Sequence, residues 1–149
     1  AEKATFSGAE FAEKATFSGA EFAEKATFSW IKFTGDADFS GAKFTGDANF
    51  LWAKFTGDAN FLWAKFTKKA IFFEATFEEK PIFERALGDK TYKSRFSSKA
   101  NPEDYNFEVS PESPCLIETE EQEHNGVKFI IPKGTELFEP RRTFRAEVP

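Results

Sequence analysis

Cys115 and His124 are the residues of this chain best suited to nucleophilic or acid–base chemistry, and each type occurs once. A nucleophilic thiol needs a base beside it. Spacing alone does not keep the two apart, but nothing in the flanking sequence supports such a pair. His124 lies in the acidic run EEQEHNG (120–126) and reads as a solvated surface residue. Cys115 precedes Leu116 and Ile117 and reads as a small buried residue. Two candidate ligands are too few for zinc. Asp36, Asp47 and Asp58 recur at equal spacing and could offer oxygen to calcium. Each stands without a second oxygen-rich partner, however, and Lys43, Lys54 and Lys65 are close by. No phosphate-cradling glycine loop followed by Lys-Ser or Lys-Thr is present. The reading is a protein that is not an enzyme, with no catalytic residue, no metal and no cofactor.

The residues that do recur are aromatic. Phe supplies 21 of the 149 positions, a bias that points to a repeat. Phe6, Phe11, Phe17, Phe22, Phe28, Phe33, Phe39, Phe44, Phe50, Phe55, Phe61, Phe66, Phe72, Phe77 and Phe83 follow one another in alternating steps of five and six. A small residue, usually Ala, stands two places before almost every one, Ile31 and Pro81 being the exceptions. On a helix the two Phe of one repeat would lie about 140° apart, so no apolar stripe forms. The Gly-Asp pairs at 35–36, 46–47 and 57–58 would also interrupt helical turns. On an extended backbone, positions i−2 and i face the same side, so each Ala and its Phe point inward together. The Ser, Gly, Thr, Lys, Asp and Glu residues between such pairs suit tight corners. Short strands joined by corners coil into a solenoid, with Phe above Phe at the ~4.8 Å strand spacing.

The units ATFSG, AEFAEK, ADFSG, AKFTGD and ANFLW resemble the pentapeptide-repeat family, whose consensus is Ala, then Asp or Asn, then Leu or Phe, then two variable residues. The resemblance covers residue 1 to about 87. It implies an all-β fold, a right-handed quadrilateral β-helix. Because every second unit here has six residues, a four-sided coil needs 22, with an extra residue at two opposite corners. Residues 1–88 then supply about four coils and roughly 20 Å of rod. The expected organisation is this solenoid over 1–88, a capping segment over 89–104, and a small β appendage with an extended tail over 105–149. Within the appendage YNFEV (105–109), CLIET (115–119) and VKFII (127–131) read as β-like, and EEQEHNG as the turn-prone link.

The net charge of −5 argues against general nucleic-acid attraction, and no apolar run is long enough to span a bilayer. The opening residues lack the basic-then-apolar order of a secretion signal. The compartment stays open, with one lean, from the absent initiator Met, toward a processed, extracellular or cell-surface protein. The expected function is a non-catalytic structural or protein-interaction scaffold. Its expected partner is protein, chiefly copies of itself joined through coil ends or C-terminal strands into a fibre or surface array. The resemblance supplies an alternative, since some members of the family bind type II topoisomerases by imitating DNA and so protect them from quinolones. Such a rod needs on the order of twelve net negative charges over 20 Å, whereas residues 1–88 carry 13 acidic and 11 basic residues. The Thr files Thr34/Thr56 and Thr45/Thr67 are too narrow for an ice-binding plane. Trp30, Trp52 and Trp63 are the most partner-like residues. They occupy the corner position that Gly8, Gly19 and Gly41 hold in other repeats, and the period puts Trp63 on the side opposite the other two.

Overall fold

The computed structural model describes residues 3–140, and they form a four-sided β-solenoid with a C-terminal β module. Each coil contributes one two-residue strand to each face. The first face stacks Ala4–Thr5, Ala26–Thr27, Ala48–Asn49, Ala70–Ile71 and Tyr105–Asn106. The second stacks Glu10–Phe11, Lys32–Phe33, Lys54–Phe55 and Thr76–Phe77. The third holds Ala15–Thr16, Ala37–Asp38 and Ala59–Asn60, and Ile82 bridges to its end. The fourth holds Glu21–Phe22, Lys43–Phe44, Lys65–Phe66, Arg95–Ser97 and Glu136–Phe138. All these pairings are parallel, and Ala4, Ala26, Ala48 and Ala70 stand in one register.

The number of uniform coils is lower than the four expected from the sequence. Three complete coils run over residues 4–69, and the fourth keeps register only through Phe83. The next Phe in frame is replaced by Gly88, at φ +64° in the turn of an antiparallel hairpin, Glu84–Leu87 with Lys90–Lys93. That hairpin leaves the coil. Arg95–Ser97 then returns the chain to the fourth face, with Phe96 stacked on Phe66 at 5.0 Å.

The interior explains why the large residue is Phe. Phe28, Phe50 and Phe72 stack in parallel along one file, 4.9 and 4.7 Å apart with ring planes within 5°. Phe39 and Phe61 come from the opposite side and meet Phe50 edge-on, at 5.3 and 5.6 Å and near 90°. A half-coil step thus interleaves two files of rings, so each ring has parallel partners above and below and edge partners across. Both geometries suit the aromatic quadrupole. From Ala26 onward the inward Ala residues are fully buried beside them and leave room for the rings. Phe6, Phe11, Phe17 and Phe22 in the first coil are only partly buried.

The corners divide into two kinds. At the long corners Asp36 Oδ1 accepts the Asp58 N–H at 2.9 Å, and Asp47 Oδ1 accepts the Lys69 N–H at 3.3 Å. Asp36 and Asp47 are therefore staples between coils. At the short corners Asp38, Asn49 and Asn60 each accept the N–H two residues on, at 2.9 Å. Such Asx turns prepare the chain for the left-handed residue that follows.

The C-terminal module differs from expectation in its strands. CLIET is not one, since Cys115 makes only an isolated bridge to Phe77 and the chain is irregular up to Thr119, while Glu136–Phe138 is a further strand. The acidic stretch read as a turn-prone link is a strand, Thr119–His124, antiparallel to Val127–Pro132. Asn125 and Gly126, at φ +52° and +80°, make the turn between them. Asn-Gly is the strongest short signal for such a hairpin, and the run of carboxylates obscured the alternation before it. Phe129 and Ile131 point inward from this hairpin and are buried, Phe129 against the Tyr105 ring at 6.1 Å.

Tyr105 anchors the junction by donating its hydroxyl to the Ser97 carbonyl at 2.7 Å. Burial pushes its phenol pKa well above the usual range, and nearby Asp104 adds to it. Below the unfolded pKa of about 10 the phenol is neutral in both states, and its contribution is fully present. Above that, the unfolded chain releases the proton while the folded chain holds it, so stability falls as pH rises. Tyr105→Phe is expected to abolish this alkaline loss. It should also cost about 1–2 kcal/mol at neutral pH by orphaning the Ser97 carbonyl. Thermal denaturation from pH 8 to 11 reads both effects.

Candidate interaction site at the tryptophan corners

The short corner between the first and second faces holds Gly8, Trp30, Trp52 and Glu74 in file, at φ +76°, +60°, +59° and +61°. The opposite short corner holds Gly19, Gly41 and Trp63, at φ +71°, +68° and +63°. For a residue with a Cβ this conformation costs about 1–2 kcal/mol, and glycine adopts it freely. The backbone imposes it on every coil because the corner N–H must reach the following coil: Trp30 donates to Leu51 and Trp52 to Phe73, at 2.9 and 3.0 Å. A tryptophan is thus held where the fold itself asks for glycine.

The indoles also face water. Trp30 and Trp63 are 60% exposed and Trp52 42%. Trp30 and Trp52 stack in parallel at 5.0 Å, with 5° between planes. Before Trp30 the file holds Gly8, whose Cβ position has no atom within 4 Å, so no side chain of the file covers the outer face of that indole. Trp63 stands alone in its file and meets the edge of Tyr92 at 5.4 Å. The structure therefore brings Trp30 and Trp52 together and sets Trp63 on the far corner.

The repeats that build these corners can now be placed. Residues 31–76 match the family model of pentapeptide repeats, in nine copies. Residues 31–76 are pentapeptide repeats. Residues 4–30 continue their register without a break. No curated protein and no solved structure matches the chain. In pentapeptide-repeat terms Trp30, Trp52 and Trp63 occupy the second of the two variable positions, outside the Ala and Phe that define the core.

The residues weighed for chemistry are scattered. Cys115 bridges Phe77 and directs its thiol to the Glu78 carbonyl at 3.6 Å. His124 ends its strand with Nε2 4.0 Å from a Glu139 carboxylate oxygen. Among the described residues no three His, Cys, Asp or Glu side chains gather as a metal site, and no helix is long and apolar enough to cross a membrane. Outside the tryptophans the faces carry cations in files: Lys32 above Lys54, and Lys43, Lys65 and Arg95 in one register. Lys65 Nζ and the Arg95 guanidinium both lie over the Phe138 ring, at 4.7 and 5.0 Å. Sequence reasoning missed that aromatic contact, because Phe138 lies outside the repeat.

Proposed function

We propose that this pentapeptide-repeat chain is a non-catalytic protein-interaction scaffold that associates with copies of itself, with the Trp30/Trp52 corner as a contact surface. One observation carries the reading: two large, exposed indoles are kept in a backbone conformation that disfavours them, at a position where glycine serves the same coil elsewhere. Local strain of this kind is typical of functional positions, and Trp is the residue most enriched among interface anchors. The DNA-imitating alternative needs one sign of charge along the rod, and the Lys files on the second and fourth faces supply the other.

The test is the double variant Trp30→Gly, Trp52→Gly, followed by sedimentation velocity over a wide concentration range. Glycine is native to this corner, so the melting temperature should hold or rise while association weakens by at least tenfold. A parent chain that sediments as a monomer at the highest concentration ends the self-association reading. Association unchanged in the double variant removes the corner from it.

A further inference from the structure

Hydrogen bonding along the first face repeats one pattern. Phe6, Phe28, Phe50 and Phe72 donate their N–H groups to Thr27, Asn49, Ile71 and Asn106 of the following coil, at 2.6–2.8 Å. At the corner Gly8, Trp30, Trp52 and Glu74 donate to Ser29, Leu51, Phe73 and Glu108. Phe107 and Val109 are the next members of these two files, since Phe107 lies over Phe72 at 5.7 Å. Among the described residues neither N–H meets an acceptor. Both residues are buried, and a buried backbone donor is rarely left without a partner.

These two donors border a groove of about 440 Å³. Its floor is the segment 105–109, and its walls are Leu116, Ile117, Thr119 and Ile130. Leu116 is 63% exposed and Ile130 half-exposed, so two large aliphatic side chains flank the donors in contact with water. The surroundings are acidic: between Lys99 and Lys128 the chain holds eight carboxylates and no lysine or arginine. Glu108 lines the groove, and Glu121 stands opposite Ile130 in the hairpin register. Among the described residues, Glu118 and Glu121 meet cations only at 4.0 Å, Lys80 and Lys128.

A whole further coil has no seat at this end. The fourth face is already extended by Glu136–Phe138, and Phe129 packs on Tyr105. A single strand has one. We propose that the groove receives an extended basic–apolar–basic segment of a partner protein, which adds as the next strand of the first face. Two of its carbonyls, two residues apart, accept the Phe107 and Val109 N–H groups. The apolar side chain between them continues the aromatic file over Phe107, against Leu116 and Ile130. The flanking basic residues point outward, toward Glu108 and the acidic rim. Main-chain bonds supply affinity and alternate side chains supply selectivity, as in other strand additions. Val109 continues the corner file of Trp30 and Trp52 one coil beyond Glu74, but neither indole lines the groove, so the proposal stands whether or not they bind.

The probe is the capped pentapeptide Lys-Val-Arg-Val-Lys, with Glu-Val-Glu-Val-Glu as its charge-reversed control. Amide hydrogen exchange of the intact chain should show Phe107 and Val109 exchanging quickly when free and slowly with the probe bound. The Phe28 and Phe50 amides should be slow throughout. Val109→Pro removes one donor, and Leu116→Glu puts a charge on an exposed wall without touching the core. Each should weaken probe binding on the order of tenfold by fluorescence anisotropy. Slow exchange of both amides in the free chain would overturn the proposal, because the chain would then cover the groove itself. So would equal binding of the acidic control, absence of probe binding at millimolar concentration, or unchanged affinity in a folded Leu116→Glu variant.

Discussion

Replacing Phe50 by alanine should lower the stability of the coil by about 3–5 kcal/mol, the largest effect of any single substitution in the repeat. Phe50 sits at the centre of the interleaved rings, stacked between Phe28 and Phe72 and met edge-on by Phe39 and Phe61. Ala48 and Ala53 beside it have no side chain long enough to move into the cavity. A stacked array is stabilised by each coil's contact with its neighbours, so a void in the middle coil weakens the contact on both sides. Domains of this size have total stabilities of about 5–15 kcal/mol, and a loss of this order leaves a marginal protein. Phe6→Ala is the internal control. Phe6 stacks on Phe28 at 5.1 Å but is only partly buried, and its loss should cost about half as much or less. Urea denaturation of the two variants gives the comparison, and equal costs would show that the interleaved stack is not what holds the coil.

How far such features can be read from sequence depends on whether their cause is periodic. Ala48 and Phe50 declare themselves because a narrow interior must alternate small and large residues on each strand, and every coil repeats the demand. Their faces, and the opposite placement of Trp52 and Trp63, follow from the 22-residue coil. Gly46 shows where such reading stops. It reads as a turn-former, yet its φ is not in the left-handed region. Its Cβ would lie 2.6–2.8 Å from the backbone of Glu24 and Lys25 in the preceding coil. The constraint comes from a segment 22 positions away. Asp47 belongs to the same class, since the acceptor role of its carboxylate depends on Lys69 passing above it. The strand Thr119–His124 was hidden for a different reason, because its glutamates fall on both faces and mask the period of two. The unmatched donors of Phe107 and Val109 arise where the stack ends. No local pattern marks that place.

The alternation of unit lengths can be tested by removing residues in different numbers. Deleting residues 26–47 joins Lys25 to Ala48, leaves a six-residue step from Phe22 to Phe50, and brings Ala4 into register with Ala48. Long corners still stack on long corners and left-handed residues on left-handed residues. This variant should fold with one sharp thermal transition, at a lower temperature because one layer of neighbour contacts is gone. Deleting Leu51–Phe55 removes far fewer residues and should do far more damage. The step from Phe50 to Phe61 becomes six directly after another six, so every later strand moves one face around the coil. The corner at Gly57 then falls over the short corner of Gly8 and Trp30, and the Asp36 carboxylate loses the Asp58 N–H it accepts. About two coils on one side and little more than one on the other are left without a matching interface. Three or more stacked units are needed for an array to be stable, so neither part has enough. Circular dichroism should show no cooperative melting for this variant. A sharp transition there, at or above that of the 22-residue deletion, would mean that the rings stack without regard to the corners.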